Sequence, residues 1–107
     1  MSKKKQLSGV ERIAAERKRQ IEEEGFEAKH DDYNMGGELI NAAIVYLLSP
    51  KMRETNMVVS GMRPSLLSFF WPWSYEWFKP SVNRIRELEK AGALIAAEID
   101  RLLRLEA

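Results

Sequence analysis

Residues 81–105, SVNRIRELEKAGALIAAEIDRLLRL, place Val82, Ile85, Leu88, Ile95, Ile99 and Leu102 at spacings of three, four and seven, the recurrence of one face of an α-helix. From Ser81 to Leu105 such a helix would run roughly 37 Å. At its midpoint stands Ala91-Gly92-Ala93. A mid-helix glycine costs about 1 kcal/mol relative to alanine, so a backbone packed closely against it is expected there, with the Ala42-Ala43 stretch as its partner.

Working upstream, a second helix from about Gly37 to Leu48 is apolar on nearly every side, through Leu39, Ile40, Ala42, Ala43, Ile44, Val45, Leu47 and Leu48, which marks it as central. Ser49-Pro50 ends it. A first helix begins at Ser8, because Ser8-Gly9-Val10-Glu11 is a capping box, and Gly25 supplies its stop. Val10, Ile13, Ala14 and Ile21 are expected on its inward face, with Arg12, Glu16, Arg17, Lys18 and Arg19 opposite. Residues 50–65 are read as a long loop, although Asn56-Met57-Val58-Val59-Ser60-Gly61 also fits a short strand or a turn of helix. The expected fold is all-α: one domain over residues 1–107, a small bundle of three main helices, with residues 1–7 as a disordered basic tail.

The 107 residues carry 17 basic and 16 acidic groups, a net charge of +1 that gives no global pull toward long nucleic acid or membrane. Residues 2–20 hold seven basic and two acidic groups, and residues 21–38 one basic and seven acidic. The first third is therefore strongly polarised. With no cysteine, disulfides, thiolate metal sites and a cysteine nucleophile are excluded together. Lys3-Lys4-Lys5 lacks the apolar segment of a signal peptide, and no run of 18 apolar residues follows. A cytoplasmic protein is expected. So small a core would gain from association, and a homo-oligomer is expected too.

Seven of the ten aromatic residues fall between Phe69 and Phe78, in Phe-Phe-Trp-Pro-Trp-Ser-Tyr-Glu-Trp-Phe. Pro72 breaks any helix and forbids a central strand, so the segment is irregular and turns its rings in several directions. Phe69 and Phe70 are expected to plug the core. Flat rings beside the cations Lys79, Arg84, Arg86 and Arg63 are what a nucleotide or other planar anion requires. Trp71, Trp73, Trp77, Lys79, Arg84 and Arg63 are therefore the candidate ligand-binding residues, set against the alternative that every ring is core. His30-Asp31-Asp32 forms a second cluster, which could bind a divalent cation with help from Glu22, Glu23, Glu24 or Glu38, or pair as base and orienter. Its structural alternative is a carboxylate capping the second helix beside a hydrogen-bonded loop histidine. The run Glu22-Glu23-Glu24 opposes the dipole of the first helix and is expected to pair with Arg17, Lys18 and Arg19 one turn earlier.

Glu11-Arg12 through Gln20, Glu24-Gly25, His30-Asp31-Asp32, Trp71-Pro72-Trp73, Trp77, Lys79-Pro80 and Lys90-Ala91-Gly92-Ala93-Leu94-Ile95 with Ala97-Glu98-Ile99 and Arg101 resemble a family of small helical proteins encoded by tailed phages and prophages. The resemblance covers most of the chain except residues 50–68. It implies a phage origin and an infected bacterial host, and it brings no catalytic residue with it. Small phage proteins of this kind are often accessory factors against host defence, including sponges for nucleotide second messengers. A fainter likeness is to MazG-type nucleotide pyrophosphohydrolases, which implies carboxylates on neighbouring helices holding magnesium. Here the only Glu-x-x-Glu is Glu24-Gly25-Phe26-Glu27, interrupted by a helix-ending glycine, and the second and last helices lack Glu-x-x-Asp.

Three functions follow as expectations. The first is a binding protein that sequesters a nucleotide-derived anion without turnover. The second is a magnesium-dependent hydrolase using Glu24, Glu38, Asp31 and Asp32. The third is an inhibitor that docks on a host protein through exposed tryptophans.

Overall fold

The computed structural model describes residues 6–25 and 28–107 and is all-α. Three long helices, α1 (Gly9–Glu24), α3 (Glu38–Leu47) and α6 (Arg84–Glu106), are joined through the short helices α2 (Ala28–Asp32), α4 (Pro50–Arg53) and α5 (Leu66–Phe70). Residues 1–5 of the expected basic tail lie outside the described residues, as do Phe26 and Glu27 of the Glu-x-x-Glu stretch. Among the described residues no helix is long and apolar enough to cross a membrane.

Local chemistry sets the ends of these helices. The capping box at Ser8 forms as expected: the Glu11 amide donates to Ser8 Oγ at 3.2 Å and the Ser8 amide donates to Glu11 Oε1 at 2.9 Å. At the other end Gly25 adopts the left-handed φ of 73° that closes α1. Leu48 is the C-cap of α3, and Ser49 next to it caps α4, its Oγ accepting from the Met52 amide. The final helix starts three residues later than the periodicity predicts, because Asn83, not Ser81, is its cap, with Oδ1 accepting from the Ile85 amide at 3.0 Å.

The core is the seam between α3 and α6. Leu39, Ala42, Ala43, Val45 and Tyr46 pack on Ala91, Leu94 and Ala97, with Trp71 closing one end. Small side chains on both helices let the two axes approach closely. The face of α6 that is covered is thus the alanine face, whereas Val82, Ile85, Leu88, Ile95, Ile99 and Leu102, expected inside, are exposed. Gly92 does meet a close neighbour, but it belongs to α1: a Cβ on Gly92 would stand 2.6 Å from Ile13 Cδ1, so Ile13 and not Ala42-Ala43 fills that space.

The inward face of α1 also differs from expectation. Glu16 and Gln20 are buried, while Val10, Ala14 and Ile21 are exposed. Arginines from elsewhere make this possible, since Glu16 accepts from Arg19 Nε at 2.8 Å and from Arg86 Nη1 at 2.7 Å. Burial alone would raise the Glu16 carboxyl, but hydrogen bonds from these two arginines outweigh it and hold the group below its ordinary value. Arg12–Glu89 at 3.2 Å adds a further α1–α6 tie. The expected pairing of the acidic run is present for two of its three basic residues, Lys18 reaching Glu22 and Arg19 both Glu23 and Glu24, whereas Arg17 reaches Asp31 and Asp100 instead.

After α4, residues 54–65 double back instead of forming an open loop. Val59 and Met62 exchange amide–carbonyl bonds of 2.9 Å, and Met57 N–H donates to Pro64 O. Ser60 and Gly61 carry the reversal with φ of 50° and 80°, the paired positive values of a tight hairpin turn. Two isolated antiparallel bridges, Asn56 to Ser65 and Val59 to Met62, are all the β-structure among the described residues.

One buried ionic knot joins α3, α4 and α6. Glu87, fully buried, pairs with Arg53 at 2.8 Å and Arg84 at 3.1 Å. Burial would raise its carboxyl, yet hydrogen bonds from Arg53, the Ser81 amide and Arg84 keep it below the ordinary 4.5. Removing the carboxylate leaves Arg53 buried without its counter-charge, so Glu87→Ala is expected to cost about 3 kcal/mol in denaturant unfolding. With folded values depressed, Glu16 and Glu87 stabilise the fold fully above the unfolded carboxylate value and lose that contribution as pH falls through their folded values. Melting temperature should accordingly decline below about pH 4.5. A melting temperature unchanged from pH 7 down to pH 3 would contradict the assignment.

Candidate functional site

The aromatic run folds as its composition requires. Trp71 is held extended ahead of Pro72 with ψ of 117°, which ends α5, and Tyr75–Trp77 make one 3₁₀ turn. Trp71 is buried, and its ring meets Tyr46 edge-on at 5.8 Å, Trp73 edge-on at 5.5 Å and Phe78 at 5.2 Å. Both inner indoles satisfy their N–H groups: Trp71 Nε1 donates to Ser74 O at 3.1 Å and Trp73 Nε1 to Asn34 Oδ1 at 3.2 Å. Trp77 remains 62% exposed. The rings therefore divide between core and surface. Phe70 packs on the core as expected, but Phe69 is about half exposed and touches Phe70 edge-on instead.

Between this run and the inner side of α1 lies a pocket of about 720 Å³. Trp71, Trp73, Trp77 and Tyr46 supply its aromatic wall, Leu94 an apolar patch, and Gln20, His30, Lys79 and Lys90 its polar points, with Glu16, Arg19, Glu23 and Glu24 along the α1 edge. Four of the six candidate ligand residues, Trp71, Trp73, Trp77 and Lys79, are thus brought together. The other two are not. Arg84 lies on the far side of the aromatic cluster and caps the C-terminus of α3, donating to the carbonyls of Tyr46 at 2.9 Å, Leu48 at 3.1 Å and Leu47. Arg63 sits on the exposed hairpin, where its carbonyl accepts from Asn56 Nδ2.

The pocket lining balances Glu16, Glu23 and Glu24 against Arg19, Lys79 and Lys90. Lys90 Nζ donates to Lys79 O at 2.6 Å and stands 5.5 Å from the centre of the Tyr46 ring. Burial, followed by the nearby Arg86 charge, pushes its ammonium below the ordinary lysine range. Neither Lys79 nor Lys90 is ion-paired with any carboxylate among the described residues. Gln20 adds a different signal: it is buried, its Nε2 donates to Glu16 Oε2 at 3.4 Å, and its Oε1 has no hydrogen-bond partner among the described residues. A buried amide oxygen left unsatisfied costs about 1–3 kcal/mol, and a ligand N–H or O–H would recover it.

His30 and the carboxylates sort differently from the expected cluster. They form helix α2 and not a loop, and neither Asp31 nor Asp32 caps α3, whose N-cap is Gly37. Asp31 is fully buried against Arg17 at 3.0 Å and holds His30 Nδ1 at 3.3 Å, whereas Asp32 pairs with Arg104 at 2.7 Å. Glu24 is tied to Arg19, and Glu38 folds back onto the Gly36 amide. The alternative magnesium set Asp31, Asp32, Glu24 and Glu38 is dispersed among four separate partners. Among the described residues no group of three or more His, Cys, Asp or Glu side chains is placed to share a metal ion, so these residues do not fit the carboxylate site of the MazG type.

No protein-family model, curated protein or solved structure matches the chain significantly.

The residues that sequence reasoning missed are Gln20, Tyr46, Lys90 and His30 in this role. Three of them sit on helices whose periodicity signals only a face, not a pocket. Their arrangement predicts a spectroscopic hierarchy. Acrylamide should quench Trp77 readily and Trp71 poorly, so Trp77→Phe should remove most of the quenchable emission while Trp71→Phe leaves it. Equal quenching in both variants would show that the aromatic run is not ordered in this way.

Proposed function

We propose that the chain binds a small, planar, nucleotide-derived anion in the Trp–Lys pocket and holds it without turnover. The observation that carries this reading is the coincidence, at one pocket, of two lysines with no ion-paired carboxylate and a buried Gln20 Oε1 with no hydrogen-bond partner among the described residues, beside aromatic faces from Trp77, Trp73 and Tyr46. Rings stack a base, lysines neutralise a phosphate, and the amide oxygen accepts from a base N–H. The volume suits a ligand of mononucleotide to dinucleotide size. A role in sequestration, as in an accessory protein that removes a nucleotide signal from a host cell, follows from holding without hydrolysis. The dispersal of the acidic residues supports binding over magnesium-dependent hydrolysis.

Titration calorimetry with linear and cyclic purine mono- and dinucleotides tests the proposal, with product followed by chromatography in the presence and absence of magnesium. Trp77→Ala is expected to weaken binding about 5- to 100-fold, the range of one base–aromatic stack. Lys79→Ala should weaken it too and flatten its salt dependence, because one phosphate contact is gone. Gln20→Met should act more on purines that present an exocyclic amine than on those that do not. Absence of binding to every nucleotide would overturn the proposal, and accumulation of hydrolysed product would overturn the part that excludes turnover.

A further inference from the structure

On α6 the residues Ile85, Leu88, Gly92, Ile95, Ile99 and Leu102 follow one another at intervals of three, four, three, four and three, the a and d positions of a heptad repeat. None of the five large side chains is covered. Ile85 and Ile99 are each 52% exposed, Leu102 45% and Leu88 43%. The neighbouring Val10 and Ile21 of α1 are exposed as well, and Ile13 of α1 fills the gap over Gly92, so the two helices offer one apolar surface. Lys90 and Leu94, which line the pocket, lie on the other side of α6 at 100° per residue.

We infer that this stripe is the contact surface for a second copy of the same chain, packed antiparallel about a two-fold axis. The spacing argues for that occupant, since it reads the same in both directions. A two-fold axis between Ala93 and Leu94 sets Ile85 against the partner copy's Leu102, Leu88 against its Ile99, and Ile95 against the partner copy's Ile13, which fills the space over Gly92. Every large side chain of the stripe thereby meets an apolar side chain of the other copy, the self-complementarity an isologous interface requires. Ala96, which flanks the stripe, is small enough to let a second helix approach closely. The extent fits too: with Val10 80%, Ile21 37% and Leu103 57% exposed beside the stripe, eight large apolar side chains are left uncovered, and a standard specific interface buries ~800 Å² per partner.

Light scattering on the full chain at micromolar concentration should give twice the 12.4 kDa chain mass. Ile99→Glu and Leu88→Glu should each halve it, with helix content by circular dichroism retained because both side chains are exposed in the single chain. Since the protein has no cysteine, a second test is clean. A mixture of Leu88→Cys and Ile99→Cys chains should be joined by a short bis-maleimide, and Ile99→Cys alone should not. A wild-type mass of one chain, a double mass that survives both charged substitutions, or cross-linking of Ile99→Cys to itself in preference to Leu88→Cys would overturn the inference. Nucleotide binding is read separately and does not bear on it.

Discussion

The fold depends on how the C-terminal end of α3 is satisfied. Its last carbonyls point into the join between α4, the aromatic run and α6, where water cannot reach all of them. Two arginines take them up: Arg53 Nε donates to Val45 O at 2.8 Å, and Arg84 serves Tyr46, Leu47 and Leu48. Both guanidiniums then need an anion, and Glu87 on the first turn of α6 provides it. Planar guanidinium groups suit this work, since one face of donors can serve carbonyls while the remainder holds a carboxylate. The helix dipole adds to the arrangement, because positive charge is favoured at this terminus.

That knot reaches the pocket through Tyr46. The tyrosine lies on the last turn of α3, its hydroxyl accepts the Lys79 amide at 3.0 Å, and its ring packs against Trp71, Phe78 and the Lys90 ammonium. Fixing α3 against α6 therefore fixes where Lys79 and the tryptophans stand. Arg53 is also 5.4 Å from the Phe78 ring, so the same cation that holds the helix end braces the far side of the aromatic cluster.

Much of this was legible in the residues. Ser8, Glu11 and Gly25 fix α1 through local chemistry that no tertiary contact has to supply, and the all-round apolar α3 has no stable place except a centre. Pro72 made the irregular aromatic segment a certainty of backbone geometry. What could not be read was which face of α6 is covered. The helix has two apolar faces, one of Ile and Leu and one of Ala, and hydrophobicity alone ranks the wrong one first. Close approach to α3 decides the matter, and only small residues permit it. Glu16, Gln20 and Arg53 were hidden for a related reason: polar side chains are read as solvent-facing until their partners, on helices far away in sequence, are known.

An exposed Ile–Leu stripe beside a buried polar face on α1 looks like a local conflict between sequence and fold. It resolves once the two sides of the helical layer are given different tasks. The thinnest dimension of the molecule, 22 Å, is about two helix diameters, so a side chain on α6 that does not face α3 or α1 faces outward. On the pocket side, Gln20, Lys79 and Lys90 place polar groups among the aromatic rings. On the opposite side an aliphatic surface gains free energy only by meeting another apolar surface. The charged ring around the pocket also argues against that side as the self-association surface, since burying Lys79 and Lys90 unpaired would be costly. The two sides of α6 thus carry different chemistry, Ile and Leu on one and the polar and aromatic lining of the pocket on the other.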